Sequence, residues 1–256
     1  MTQPTPDPTQ RFSDRVENYI RYRPNYPTAV LNILHQATNL TPTSTIADIG
    51  SGTGISTQLF LNNGNPVFGV EPNPHMRQAA ETILKQYPNF HSINGTAEAT
   101  TLGDRSVDYV IAAQAFHWFN RPAAQQEFAR ILRPNGWIVL MWNSRRTDTT
   151  PFLRAYESLL QQFGTDYNQV QHKTIERDEL RSFFADGTFQ QHTLYNEQRL
   201  DYDGIKGRLL STSYTPNETH PDRQPMLQEL DRIFQQHSES GSVCLEYDTQ
   251  LYIGQL

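Results

Sequence analysis

ADIGSGTG, residues 47–54, runs from an apolar strand pattern straight into three glycines at alternate positions, Gly50, Gly52 and Gly54, and then into ISTQLFLNN (55–63), which has a helical pattern. Glycine permits the tight turn and a close approach of ligand to backbone, and the helix N-terminus presents unpaired N–H groups at the same place. Strand-to-helix turns also use glycine with no ligand at all, so spacing has to narrow the reading. A dinucleotide fingerprint G-x-G-x-x-G counted from Gly50 puts Ile55 where its third glycine belongs, and no Gly-Lys-Ser/Thr of a P-loop follows. What remains is D-x-G-x-G-x-G, with an acid, Glu71, at the end of the next strand pattern NPVFGVEP (65–72). A carboxylate there can accept two hydrogen bonds from a ribose diol.

Outward from this loop, short apolar runs alternate with helical ones. STIADIG (44–50), NPVFGVEP, NFHSING (89–95), VDYVIAAQ (107–114) and WIVLMWN (137–143) read as strands, with helices expected at 55–63, 73–86 and about 122–132 and a turn at Arg133-Pro134-Asn135-Gly136. Five buried strands separated by helices predict an α/β fold with a doubly wound, mostly parallel sheet. Upstream, Pro27-Thr28 opens a helix whose Val30, Leu31, Ile33, Leu34 and Ala37 form one apolar face. Residues 1–10, rich in Pro, Thr and Gln, are expected to be a disordered tail, and 11–143 a cap segment plus the cofactor-binding core. Residues 144–235 read as a helical lid and specificity region that contains a sheet strand near 188–199. Residues 236–256, with apolar or small side chains at Val243, Leu245, Tyr247, Thr249, Leu251 and Ile253, read as a closing strand.

Composition removes several function classes. A formal charge of −6 over 256 residues offers no sequence-wide basic field, so nucleic acid is not an expected partner. No run of 18 apolar residues is present, and the start MTQPTPDPTQ lacks an apolar signal core, so a cytoplasmic chain with no membrane partner is expected. The single cysteine, Cys244, excludes an intramolecular disulfide, and its apolar surroundings predict a buried structural thiol. Eight histidines show no HExxH or paired spacing, so no metal site is expected.

Five phrases together resemble class I S-adenosylmethionine-dependent methyltransferases: ADIGSGTG, VEPNPHM (70–76), GTAEATTL (95–102), SVDYVIAAQAFHWF (106–119) and LRPNGWIVLMWN (132–143). The resemblance implies a seven-stranded Rossmann-like methyltransferase sheet with a C-terminal antiparallel strand, S-adenosyl-L-methionine as cofactor and S-adenosyl-L-homocysteine as product. It implies a cofactor pocket lined by Asp48, Gly50, Ser51, Gly52, Glu71, Ala97, Glu98 and Gln114, with Met76 on the adenine face. Ser51 stands where cysteine is common and Glu71 where aspartate is, and neither change removes a needed chemical group. The segment Tyr19-Ile20-Arg21-Tyr22-Arg23-Pro24-Asn25-Tyr26-Pro27 and the AFHWF run are similar to the small-molecule group that includes trans-aconitate methyltransferase. DYDGIKGRLLSTSY (201–214) and EYDTQLYIG (246–254) are similar to uncharacterised bacterial and fungal members of that group, which carry no assigned substrate.

Methyl transfer is an in-line displacement, so alignment and exclusion of water matter most, and a base is needed only for acceptors that must lose a proton. His117, at the carboxyl edge of the sheet, is the candidate base; it is otherwise a packed residue of the pocket wall. Tyr19, Arg23, Tyr26, Trp118 and Arg208 are the acceptor candidates. With Arg21, Arg199 and Lys206, and more remotely Arg145 and Arg146, they would make a cationic mouth suited to a carboxylate, unless they are solvated or paired with acids such as Asp201 and Asp203. DNA amino-methyltransferases carry an Asp/Asn/Ser-Pro-Pro-aromatic run where this chain has Gln114-Ala115-Phe116-His117-Trp118. The expectation is therefore a methyltransferase, monomeric or homodimeric, acting on a small, carboxylate-bearing molecule. The alternatives are a cofactor-binding sensor or scaffold without transfer, and a methyltransferase acting on protein or RNA. An unrelated nucleotide-binding oxidoreductase is disfavoured by Ile55.

Overall fold

The computed structural model describes residues 20–165, 167 and 177–256. Tyr19, the tail expected at 1–10 and part of the expected lid region lie outside them. Seven strands form one sheet in the order β3-β2-β1-β4-β5-β7-β6. They are β1 Ile46–Ile49, β2 Val67–Val70, β3 Phe90–Ile93, β4 Val107–Ala113, β5 Leu132–Arg145, β6 Gln190–Leu200 and β7 Val243–Gly254. Strands β1 to β5 are parallel, and β7 enters antiparallel between β5 and the edge strand β6. This is the seven-stranded Rossmann-like arrangement with a C-terminal antiparallel strand.

The helices are α1 Ala29–Thr38, α2 Ile55–Asn62, α3 Pro74–Ile83, α4 Arg121–Ile131, α5 Pro151–Phe163, α6 Arg177–Phe183, α7 Tyr202–Leu210 and α8 Arg223–His237. Side-chain alternation along the strands sorts the core to both faces, as period two requires. Ala47, Ile49, Val110, Ala112, Ile138 and Leu140 pack with Phe128 of α4 and Phe183 of α6. Ile46, Tyr109, Ile111, Val139 and Met141 pack with Val30 and Leu34 of α1 and Phe60 of α2. A third cluster joins α5, α7 and α8 through Tyr156, Ile205, Leu230 and the first half of β7.

Local chemistry starts and stops the elements. Asn73 caps α3, its side chain accepting from the N–H groups of His75 and Met76, with Pro74 following it in the first turn. The Asp201 side chain caps α7 in the same way, accepting from Gly204 N–H at 2.8 Å. That bond shows Asp201 to be a helix cap, and the acid that pairs with Arg199 is Glu197. Two expectations need correction. The turn expected at Arg133–Gly136 is an irregularity within β5: Leu132 pairs with Val107, pairing resumes at Trp137 with Tyr109, and Asn135 sits at φ +65° between them. Cys244 is not buried, because the alternation that buries Val243, Leu245 and Tyr247 puts it on the other face, where Sγ lies 3.8 Å from Glu197 Oε2.

Candidate functional site

The loop between β1 and α2 crosses the carboxyl edge of the sheet, where open α/β folds take ligands. Gly50, Gly52 and Gly54 have φ of +69°, +56° and +90°, the left-handed region that favours glycine. Two of the three are also packed tight: a Cβ on Gly50 would lie 2.6 Å from Ala115 Cβ, and one on Gly54 2.6 Å from Leu84 Cδ1. Gly52 differs, since a Cβ there would meet nothing within 4 Å. The open space beside Gly52 is the cradle expected for a cofactor that approaches the backbone closely.

Two buried carboxylates brace this loop. Asp48, wholly buried beneath it, accepts at Oδ2 from Ser56 Oγ at 2.7 Å and Thr57 Oγ1 at 2.6 Å, while Oδ1 has no hydrogen-bond partner. Burial pushes its pKa up to about 6, against the two hydroxyls, which pull it down. Glu71, at the end of β2, accepts from Gly52 N–H at Oε2 and from Asn73 N–H at Oε1, both at 2.9 Å. Burial raises its pKa too, opposed by those two backbone donors and by Arg77. A carboxylate has about four acceptor positions, so one per oxygen remains for a diol. The glycine cradle, the orphaned oxygen of Asp48 and the residual acceptors of Glu71 fit S-adenosylmethionine.

Gly50, Ser51, Gly52, Gln114 and His117 line one cavity of about 440 Å³ together with Arg23, Tyr26 and Arg208. The fold thus brings Gly50, Ser51, Gly52 and Gln114 of the expected cofactor residues and Arg23, Tyr26 and Arg208 of the acceptor residues to a single opening, while the buried carboxylates Asp48 and Glu71 brace the loop from outside the cavity lining. Gln114, at φ +57°, donates from Nε2 to Asn143 O at 3.1 Å. His117 sits on a short 3-10 turn, Phe116–Trp118, directly after β4, its ring 4.7 Å from that of Trp118.

Other expected residues stand outside the cavity lining. Trp118 is half-buried behind His117, because a 3-10 turn sends successive side chains in different directions. Met76 and Ala97 are buried off the cavity, and Glu98 accepts from Asn120 N–H at 2.8 Å, bracing the start of α4. Arg146 is held by Asp248 at 2.7 Å, and Arg199 is exposed beside Glu197. Arg145 does line the cavity, but Glu157 at 2.5 Å and the Tyr167 hydroxyl at 3.0 Å hold its guanidinium.

Sequence reading passed over the far wall, where Trp142, Asn143, Tyr167, Tyr214, Gln250 and Tyr252 complete the cavity. They come from β5, β7 and the lid, so no local spacing joins them. One signal was present: Asn143 and Thr249 are polar residues in otherwise apolar strand positions. The structure pairs them, Thr249 Oγ1 donating to Asn143 Oδ1 at 2.5 Å. The segment 20–28 crosses above as a strap. Asn143 and Asn196 donate to Asn25 O, Gln198 donates to Tyr22 O at 3.2 Å, and Arg23 donates to Ser211 O at 2.9 Å.

Among the described residues no group of three or more His, Cys, Asp or Glu is placed to hold a metal, and no helix is long and apolar enough to cross a membrane.

Comparison with known proteins matches residues 47–140 to the methyltransferase domain family. An uncharacterized methyltransferase-like protein of Schizosaccharomyces pombe is 33% identical over 156 residues, 60% of this chain and 59% of that one. An uncharacterized methyltransferase of Mycobacterium bovis is 37% identical over 139 residues, 54% of each. The chain therefore spans between half and two thirds of the length of these curated relatives. A solved structure described as a type II methyltransferase from Anaeromyxobacter dehalogenans shares the fold, with TM-score 0.67 and 22% identity over 91% of this chain and 98% of that one.

Proposed function

Because this chain carries a class I S-adenosylmethionine-dependent methyltransferase domain, we propose that it transfers the methyl group of that cofactor to a small, carboxylate-bearing molecule held under the strap and lid. The observation that carries this reading is the continuity of the cavity. It starts on the Gly50–Thr53 loop and ends against Arg23, Arg208 and the Glu157-paired Arg145, with no aspartate or glutamate among the described residues of its lining. A cationic wall facing a cationic cofactor favours an anionic acceptor, and a guanidinium grips a carboxylate through two parallel hydrogen bonds. A volume of about 440 Å³ suits a small molecule rather than a polymer.

The bound cofactor supplies an electrophilic methyl carbon whose bond to sulfur breaks as the acceptor bonds to it, leaving S-adenosylhomocysteine. The chain's own residues bind and orient. Gly52 leaves room at the backbone, Glu71 offers acceptors to a ribose and Asp48 holds the floor of the loop. Strap and lid exclude water, which aligns the reactants and suppresses hydrolysis. Where the acceptor atom is a carboxylate oxygen no base is required. For a hydroxyl or an ammonium, His117 takes the proton in this reading, supported by its position in the cavity lining.

Calorimetric titration with S-adenosylmethionine, S-adenosylhomocysteine and NAD(H), followed by radiolabelled methyl transfer to a low-molecular-mass extract, tests the proposal. Saturable binding of the first two ligands with label in small acidic products supports it. Binding without transfer to any fraction points to a sensor, and label in protein or RNA reassigns the acceptor.

A further inference from the structure

Of the three arginines on the cavity wall, Arg208 stands in an unusual position. It lies on α7, is only 7% exposed, and among the described residues its side chain makes one hydrogen bond, from Nε to the Tyr247 hydroxyl at 3.3 Å. Among the described residues no carboxylate pairs with it, and the side chains that act on its charge are the phenols of Tyr247, Tyr156 and Tyr214. Guanidinium does not deprotonate in proteins, so Arg208 is a buried charge with no counter-charge among the described residues. Arg145, by contrast, has its anion already, in Glu157.

We propose that Arg208 is the anion anchor of the acceptor site, gripping the carboxylate of an aromatic or otherwise planar monocarboxylic acid through the terminal nitrogens that Tyr247 leaves open. A buried ion is costly unless it is paired, and the cavity side is where the missing partner can enter. The flat walls set the body of the ligand: Trp142 and Tyr252 meet edge to face at 5.7 Å, and Tyr167 and Tyr214 at 4.9 Å. One anchor with one charge matches one carboxylate.

The anchor is itself aimed. Tyr247 donates its hydroxyl hydrogen to Gln198 Oε1 at 2.9 Å, which turns the oxygen lone pairs toward Arg208 Nε–H. Gln198 in turn donates to Tyr22 O of the strap. Next to the anchor, a Cβ on Gly207 would overlap the Tyr22 ring at 2.0 Å. Tyr247 and Gln198 are therefore positioning residues, and they tie the direction of the guanidinium to the seat of the strap.

This inference rests on the methyltransferase reading of the cavity, and its test separates the two. Calorimetry with benzoate, benzamide and phenyl phosphate is run on the protein saturated with S-adenosylhomocysteine, for the wild type, Arg208→Gln, Arg208→Met and Tyr247→Phe. Benzoate binding to the wild type about 10- to 100-fold more tightly than benzamide, with that preference lost in both Arg208 variants and reduced in Tyr247→Phe, supports the anchor. S-adenosylhomocysteine affinity stays unchanged throughout; if the wild type fails to bind it, the methyltransferase reading fails separately from the anchor. Equal binding of benzoate and benzamide, no binding of benzoate, or a preference for phenyl phosphate overturns the carboxylate anchor. Thermal melting of the ligand-free protein gives a readout independent of the probe. An unchanged or higher midpoint in Arg208→Met is expected of a charge held for a ligand, and a clearly lower one overturns the proposal in favour of a structural role.

Discussion

Asp48 and Glu71 show how a single side chain under the glycine loop sets both stability and binding. A buried carboxylate whose folded pKa is raised, from 3.8 to about 6 for Asp48, is protonated in the folded state over a range where the unfolded chain is already ionised. The folded state then binds the extra proton, so stability is highest below about pH 4 with respect to this group and falls as pH rises to about 6. Over that range the loss amounts to roughly 3 kcal/mol. Asp48→Asn keeps the acceptor for Ser56 and Thr57 but not the charge. It should be more stable than the wild type at pH 7 and lose that advantage at pH 4 in urea unfolding at the two pH values. Glu71→Ala removes the acceptors proposed for the ribose and should weaken S-adenosylmethionine binding by roughly 1.5–3 kcal/mol in calorimetry; unchanged affinity would remove Glu71 from the proposed cofactor site.

At the scale of elements, the β1–α2 loop contains two glycines with opposite expected behaviour. A methyl group at Gly54 drives into Leu84 of the neighbouring helix end and adopts φ +90°, so Gly54→Ala should lower stability by about 2 kcal/mol or more. At Gly52 the methyl enters open space, leaving only the left-handed backbone penalty of about 1 kcal/mol, yet that space is the one proposed for the cofactor. Gly52→Ala should melt near the wild type and bind S-adenosylhomocysteine weakly; normal binding would move the cofactor elsewhere. The strap gives a third comparison. Gly207→Ala pushes α7 against Tyr22, and faster tryptic cleavage after Arg21 is the expected result if residues 20–28 are seated by that contact.

On the scale of the whole molecule, the Arg145–Glu157–Tyr167 cluster links the carboxyl end of β5 to α5 of the lid. Glu157 Oε2 lies 2.5 Å from the Arg145 guanidinium and accepts from the Tyr167 hydroxyl at 2.7 Å, and both charged side chains are mostly buried. Removing one partner leaves an uncompensated buried charge, so Glu157→Gln should destabilise by about 3–5 kcal/mol in denaturant unfolding. A smaller loss than that of an exposed pair would mean that water reaches the cluster freely. The same cluster holds the charge of Arg145, although that residue lines the cavity, whereas no described carboxylate pairs with Arg208.

How much of this was legible in the sequence follows the range of each interaction. The glycine loop, the strand-two acid and the first five strands are written in neighbouring residues, because a tight turn needs glycine and a buried parallel strand needs an unbroken apolar run. The period-two run from Val243 to Ile253 likewise announced its own strand, and the same period shows why Cys244 points away from the core. The far wall of the cavity was not legible. Trp142, Tyr167, Tyr214 and Tyr252 meet only because β7 enters antiparallel beside β5 and carries β6 and the lid helices back over the glycine loop. The sequence alone determined the sheet's first half and the glycine loop at its edge, through local backbone chemistry. Tertiary structure decided which arginine keeps an open charge, because pairing with Glu157 or with Tyr247 depends on contacts between segments far apart in the chain.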